Sequence, residues 1–255
     1  MNGGNTMKST VVNYVDFENI PVPEKLLTIE IPSWDQVAQP MVDMTLSKYN
    51  ELLGENETEL TDEMVQILNI PGMQSVHQVK QLGMDTYVQS EIQRRYIHDV
   101  FPYVLSFYRE SSNPIVDPSE RDGYIEEYVD QVKAYAKEEG LSFKAYVRDR
   151  LQLEGPAQEV IETQALEDFI FKLICHDMFE RSGLPLDEES YEAFIQDQVI
   201  HKQVDEIDLR QELPYQRYIK IMPEMTMSQE LFNYFSQQFS VKINSHAPLN
   251  VPQQP

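Results

Sequence analysis

Val160-Ile-Glu-Thr-Gln-Ala-Leu-Glu-Asp-Phe-Ile-Phe-Lys-Leu-Ile-Cys-His-Asp-Met-Phe179 decides the fold. Its apolar residues, Val160, Ile161, Leu166, Phe169, Ile170, Phe171, Leu173, Ile174, Cys175, Met178 and Phe179, cover more than one face of a helical period. A helix of that kind belongs at the centre of a helical core. Gly183-Leu-Pro185 ends it and Asp187 caps the next helix. Upstream, Gly155-Pro156 breaks the chain and restarts it, with proline at the favoured first helical position.

Helical patterning continues in both directions. Tyr87, Val88, Ile92, Tyr96, Val100, Val104 and Phe107 recur every three to five residues through 84–110. Pro102 lies inside that run and predicts a kink or break. Residues 111–118 read as a loop. Tyr124, Ile125, Tyr128, Val129, Val132, Tyr135 and Ala136 form an amphipathic stripe that stops at Gly140, and Ser142 caps 143–153. Nearer the start, the pattern Val37, Met41, Met44, Thr45, Leu46, Tyr49 runs to Gly54, and Thr61 caps a further helix. Residues 201–217 are charged without a strong period. Ser228 reads as the cap of a last helix with Leu231, Phe232, Phe235 and Phe239 inward.

Strand character is confined to short pieces near 11–31, where Leu27-Thr-Ile-Glu-Ile31 alternates with period two, and at Val241-Lys-Ile243. The expected fold is therefore mainly all-α with short N-terminal β segments. Four regions are expected: a disordered N-terminus (1–10), a connector-like segment with short strands and one helix (11–57), a helical domain (58–243) and a disordered tail (244–255).

The charge excludes some partners. The 255 residues carry 20 Lys+Arg against 43 Asp+Glu, a net charge of −23. Nucleic acid and anionic membranes are both disfavoured, because phosphate neutralisation needs clustered cations. No apolar run is long enough for a transmembrane helix, and no secretory leader is read at the start. The chain reads as a soluble, cytoplasmic protein. Its single cysteine excludes an internal disulfide.

No phosphate-cradling glycine loop, nucleophile elbow, H-E-x-x-H or EF-hand loop is present. His77, His98, His176, His201 and His246 show no i,i+4 pairing, so no metal and no cofactor is expected. Cys175 reads as a small buried hydrophobe. The pair Cys175–His176 does not read as a dyad, since adjacent helical residues point about 100° apart. The acid pairs Glu126-Glu127, Glu138-Glu139 and Glu188-Glu189 read as solvated helix faces.

The order of segments resembles the C-terminal chaperone domain of bacterial trigger factor. Glu59-Leu-Thr-Asp-Glu-Met-Val65 resembles the entry to that domain, with Thr58 where the family has proline. Ser75-Val76 and the helix after Met84 resemble its first arm. Asn113-Pro-Ile-Val-Asp-Pro118 resembles the turn before its long second helix. Gln158–Phe179 followed by Gly183-Leu-Pro-Leu-Asp-Glu-Glu189 resembles the next helix and turn, and Leu231–Ile243 the final helix and extended end. The similarity spans about residues 59–243. Residues 11–53 more faintly resemble the family's connector. The ribosome-docking signature G-F-R-x-G-x-x-P is absent, and the jump from Asn50 to Glu59 leaves no room for the FK506-binding-protein-like isomerase domain.

The resemblance implies an extended body-and-arms helical module that holds unfolded or nascent polypeptides without ATP. Ribosome docking is in doubt and no enzyme activity is expected. Tyr96, Phe101, Tyr103, Phe107, Tyr124, Tyr128 and Tyr135 are the candidate client-binding residues, against the alternative that each packs the core. The 11 methionines suit adaptable contacts. The alternative function is a helical interaction or assembly protein with one dedicated partner, a homodimer included. Prolyl isomerisation is the least favoured reading.

Overall fold

The computed structural model describes residues 8–249, which are mainly helical. Strand β1 (Thr10–Val11) leads through 3-10 turns at Phe17–Asn19 and Glu24–Leu26 to β2 (Thr28–Ile31). Helices α1 (Trp34–Leu53), α2 (Asp62–Leu68) and α3 (Val76–Arg95) follow. A π turn (Tyr96–Val100) joins α3 to α4 (Phe101–Ser112), and β3 (Pro114–Ile115) precedes α5 (Pro118–Glu138) and α6 (Phe143–Asp149). The chain ends in α7 (Ala157–Ser182), α8 (Glu188–Lys202), α9 (Glu206–Glu212), α10 (Tyr215–Ser236) and β4 (Ser240–Ile243).

Local chemistry sets most of these boundaries. Thr61, Ser142 and Asp187 each accept a main-chain N–H of their helix's first turn, and Asp187 with Ser190 forms a reciprocal capping box. Gly54 and Gly183 end α1 and α7 in the left-handed conformation, at φ of 67° and 70°. Asp117 caps α5 with Pro118 behind it, whereas Pro156 sits one residue outside α7.

Several boundaries differ from expectation, among them α3, which starts at Val76 rather than near 84, and β3, a strand inside the stretch read as a loop. α1 starts at Trp34 because Ser33 accepts the Gln36 N–H. The helical path through Pro102 does not break. The turn before it widens instead, and the Phe101 N–H reaches back to the Tyr96 carbonyl. A π turn absorbs the register that a proline ring denies to the residue four back. The last helix begins at Tyr215 rather than near Ser228, and Pro223 lies inside it. Burial of Tyr218, Met227, Leu231 and Phe235 along α10 outweighs the one main-chain bond lost there.

The chain divides into two compact units whose segments interleave in sequence. One comprises residues through Ile20 with Val104–Leu231. In it α7 packs on α5 and α6. Val129, Val132, Val147 and Ile161 form one core cluster, and Tyr191, Ile195, Leu213 and Tyr218 another. β1 pairs antiparallel with β3, Thr10 opposite Ile115. Glu120 in the first turn of α5 accepts the Lys8 and Ser9 N–H groups at 2.7 and 2.8 Å. Residues 8–10 are thereby held, against the expected disorder.

The other unit comprises Pro21–Tyr103 with the chain from Phe232 onward. The expected division at 57/58 is not a boundary. α1 lies against α2 and α3, and Val42, Leu60, Val65 and Val79 share one cluster. β2 and β4 pair in parallel, Ile29 opposite Val241 and Ile31 opposite Ile243. Ile29, Ile31, Val37, Tyr87 and Ile92 form the core beneath them. The expected tail disorder is also corrected for residues 244–249. The Asn244 N–H donates to the Ile31 carbonyl at 2.8 Å, and Leu249 packs on that core. The remainder of the expected disorder, at 1–7 and 250–255, lies outside the described residues.

Candidate functional site

The seven candidate aromatics fall in both units. Tyr96, Phe101 and Tyr103 belong to one, and Phe107, Tyr124, Tyr128 and Tyr135 to the other. Tyr96 is buried, with the Phe232 ring edge-on at 5.1 Å and the Phe101 ring at 5.7 Å. Tyr103 is half-buried and its hydroxyl donates to the Pro21 carbonyl at 3.0 Å. Tyr124 packs 5.3 Å from Phe169 and 6.3 Å from Tyr128, which itself lies against the Val129 cluster. Phe107 is half-buried, and Tyr135, 45% exposed, accepts a hydrogen bond from Gln131. Of the seven, Tyr135 has the most open ring.

The Tyr124 hydroxyl belongs to a half-buried polar network that joins α5, α7 and α10. It donates to the Asp168 carboxylate and accepts from Lys172 Nζ at 3.4 Å. Lys172 also stands over the Tyr124 ring at 5.1 Å and pairs with Glu224 at 3.2 Å. Burial, and then the Asp168 contact, pushes the Tyr124 hydroxyl's pKa up. Burial raises the Glu224 carboxyl against the pull of Lys172. One turn on, burial lowers the imidazole of His176. Burial also raises the thiol of Cys175, which is 1% exposed. A thiol so placed is neither accessible nor ionised, and does not suit nucleophilic chemistry.

The second unit carries an open groove of about 580 Å³ lined by Trp34, Gln81, Met84, Asp85, Val88, Gln89 and Val241. Its construction follows from local structure. Ser33 caps α1 and so sets Trp34 at the helix's first position, 38% exposed. Gln81, Met84, Asp85, Val88 and Gln89 follow three- and four-residue spacing and share one face of α3. Val241 enters from β4, because Ile29 opposite it, with Ile31 two residues on, draws that face of the sheet onto the core. Trp34, Met84, Val88 and Val241 make the lining mainly apolar, and Gln81, Asp85 and Gln89 add polar groups. Among the lining residues Asp85 carries the one formal charge, and Asp35, beside Trp34, pairs with Lys80 at 3.6 Å.

A second groove in this unit, about 620 Å³, is lined mainly by charged residues. Three of its four cations are engaged. Lys242 pairs with Glu24 and Arg94 with Glu91, both at 2.7 Å, and Arg95 donates to the Thr28 and Lys25 carbonyls. Among the described residues no cluster of three or more ligating side chains could hold a metal ion. Among them, too, no helix is long and apolar enough to cross a membrane.

Sequence reasoning did not pick out the groove. Met84 and Val88 fit the helical stripe as core positions, and periodicity reports an apolar face without reporting what covers it. The lone Trp34 followed by an acid was the available signal. Comparison of the chain with protein-family models, with curated proteins and with solved structures found no match.

Proposed function

We propose that this chain is an ATP-independent polypeptide-binding chaperone that holds apolar segments of unfolded or partly folded proteins. The observation that carries the reading is the groove over α3. Trp34 and Met84 offer broad, adaptable apolar contact at an open surface, and soft side chains of this kind suit varied sequences. Its shallow, open form fits an extended chain better than an enclosed small molecule. The segment order resembling trigger factor's chaperone domain points the same way, and supports a cytoplasmic setting for the activity.

The net charge of −23 sets the client class. It favours segments that are apolar with basic flanks, and opposes self-association through exposed apolar surface. The proposal concerns binding alone and includes neither prolyl isomerisation nor ribosome docking. A dedicated partner is the second reading. Ile200 and Ile207, each 67% exposed on α8 and α9, favour it.

The decisive experiment mixes the protein with several unrelated, chemically unfolded clients and follows light scattering with and without nucleotide. Suppression at near-stoichiometric ratio, unaffected by ATP, is expected. Trp34 is the only tryptophan and lines the groove, so its emission should shift when a tryptophan-free client binds. Absence of suppression for every client would leave the dedicated-partner reading.

A further inference from the structure

The outer edge of β4 lies beside this groove. Among the described residues β4 pairs with β2 and with no other strand. The Ser240 and Asn244 N–H groups donate to the Leu27 and Ile31 carbonyls. In a parallel ladder alternate residues direct both main-chain groups to one side. Ser240, Lys242 and Asn244 therefore face β2, and Val241 and Ile243 aim their N–H and C=O groups the other way. The far edge of β2 differs, since Arg95 occupies the Thr28 carbonyl there.

We infer that β4 takes an incoming polypeptide as an added strand, an extended segment of another protein with alternating apolar residues and basic flanks. The inference rests on the chaperone reading and specifies its binding mode. Main-chain bonds to Val241 and Ile243 supply sequence-independent affinity, and alternate side chains enter the space lined by Trp34, Met84 and Val88. β4 carries no proline, and its one charge, Lys242, is turned to Glu24 at 2.7 Å. β4 is short, four residues, but neither proline nor a free charge guards its outer edge, where Ile243 is 65% exposed. Charge selects the occupant. Asp85 is the one charged residue lining the groove, while Asp35 beside Trp34 is already shared with Lys80 at 3.6 Å. A second copy would bring another −23 to the same place.

The test uses the full chain and the peptide Ac-Lys-Val-Thr-Val-Thr-Val-Lys-amide, read by Trp34 emission. Two further peptides carry N-methyl groups on the valine amides or on the threonine amides, removing donors from one edge at a time. One methylated peptide should bind about tenfold more weakly, and the other like the parent. Val241→Pro should weaken the parent similarly, because that N–H lies outside the β2 ladder and a proline is tolerated at an edge. Replacing the peptide's lysines by glutamates should also weaken binding. Equal binding of all three peptides would refute strand addition and leave the chaperone reading standing. The same holds if client aggregation is suppressed but the parent peptide does not bind. Neither peptide binding nor suppression would remove both proposals. A concentration-dependent dimer lost in Val241→Pro would overturn the inference in favour of a second copy. If Val241→Pro fails to fold, the peptide pair alone decides.

Discussion

Lys172 Nζ stands 3.2 Å from Glu224 Oε1, and the two side chains are 26% and 22% exposed. The pair bridges α7 and α10 within one unit, and the Tyr124 ring lies under the ammonium. Burial raises the carboxyl's pKa above its ordinary value even with this partner. The sign follows. A carboxyl raised in the fold contributes stability that is full below the ordinary glutamate range and is lost as pH rises through its folded value. Urea unfolding across pH 4–8 should therefore show a falling component in the wild type that Glu224→Gln removes. Equal slopes in the two proteins would contradict it. Lys172→Met leaves the carboxylate without its cation and should cost about 1–2 kcal/mol, a buried-pair figure reduced for partial exposure.

Phe169 sits mid-helix in α7, 3% exposed, with its ring 5.3 Å from Tyr124. Phe169→Ala should cost roughly 3–5 kcal/mol. The denaturant midpoint should fall with little change in m. A shift within error would mean that this face of α7 is open to solvent.

Two helical glycines should respond with opposite sign. A Cβ on Gly83 in α3 would lie 2.8 Å from the Met41 Cβ and 3.2 Å from the Ala38 carbonyl oxygen. α1 and α3 approach closely because this residue has no side chain. Gly83→Ala should destabilise by about 1–3 kcal/mol despite better helix propensity. Gly123 in α5 has nothing within 4 Å of such an atom, and Gly123→Ala should stabilise by about 0.5–1 kcal/mol. Thermal melts of the two variants check both signs together.

These contrasts show what was legible in the sequence. Capping chemistry is local, so Thr61, Ser142, Asp187, Gly54 and Gly183 could be read correctly one by one. The mainly helical class followed from periodicity, as did strand at 28–31 and 241–243. The parallel pairing of β2 with β4 had no local signature, since Ile29 and Val241 meet only after nearly the whole chain has folded between them. Hence a connector and a separate domain were expected where one unit closes around both ends of that pairing. The start of α10 was missed in a related way. Ser228 is visible in sequence as a cap, whereas the burial of Tyr218 and Met227 that carries the helix through Pro223 is not. The candidate aromatics were correctly seen as apolar stripes, but Tyr96 faces inward and the accessible groove is built from Trp34 and Met84.

The last expectation separates client surface from core. Trp34 is 38% exposed and helps line the groove, so Trp34→Ala should cost stability less than about 1 kcal/mol, the range of a surface change. Phe101 packs 5.7 Å from the buried Tyr96 ring, and Phe101→Ser should lower the melting temperature by several degrees, as loss of a core aromatic contact does. Phe107→Ser, in the other unit, is scored separately, because the two rings cannot be treated as one site. Each variant is measured for thermal stability and for suppression of client aggregation at a temperature well below its melt. Trp34→Ala should lose suppression with an almost unchanged melt, and Phe101→Ser should keep suppression while melting earlier. The reverse outcome, suppression lost only with Phe101 or Phe107, would move the binding surface from the α3 groove to the aromatic stripe.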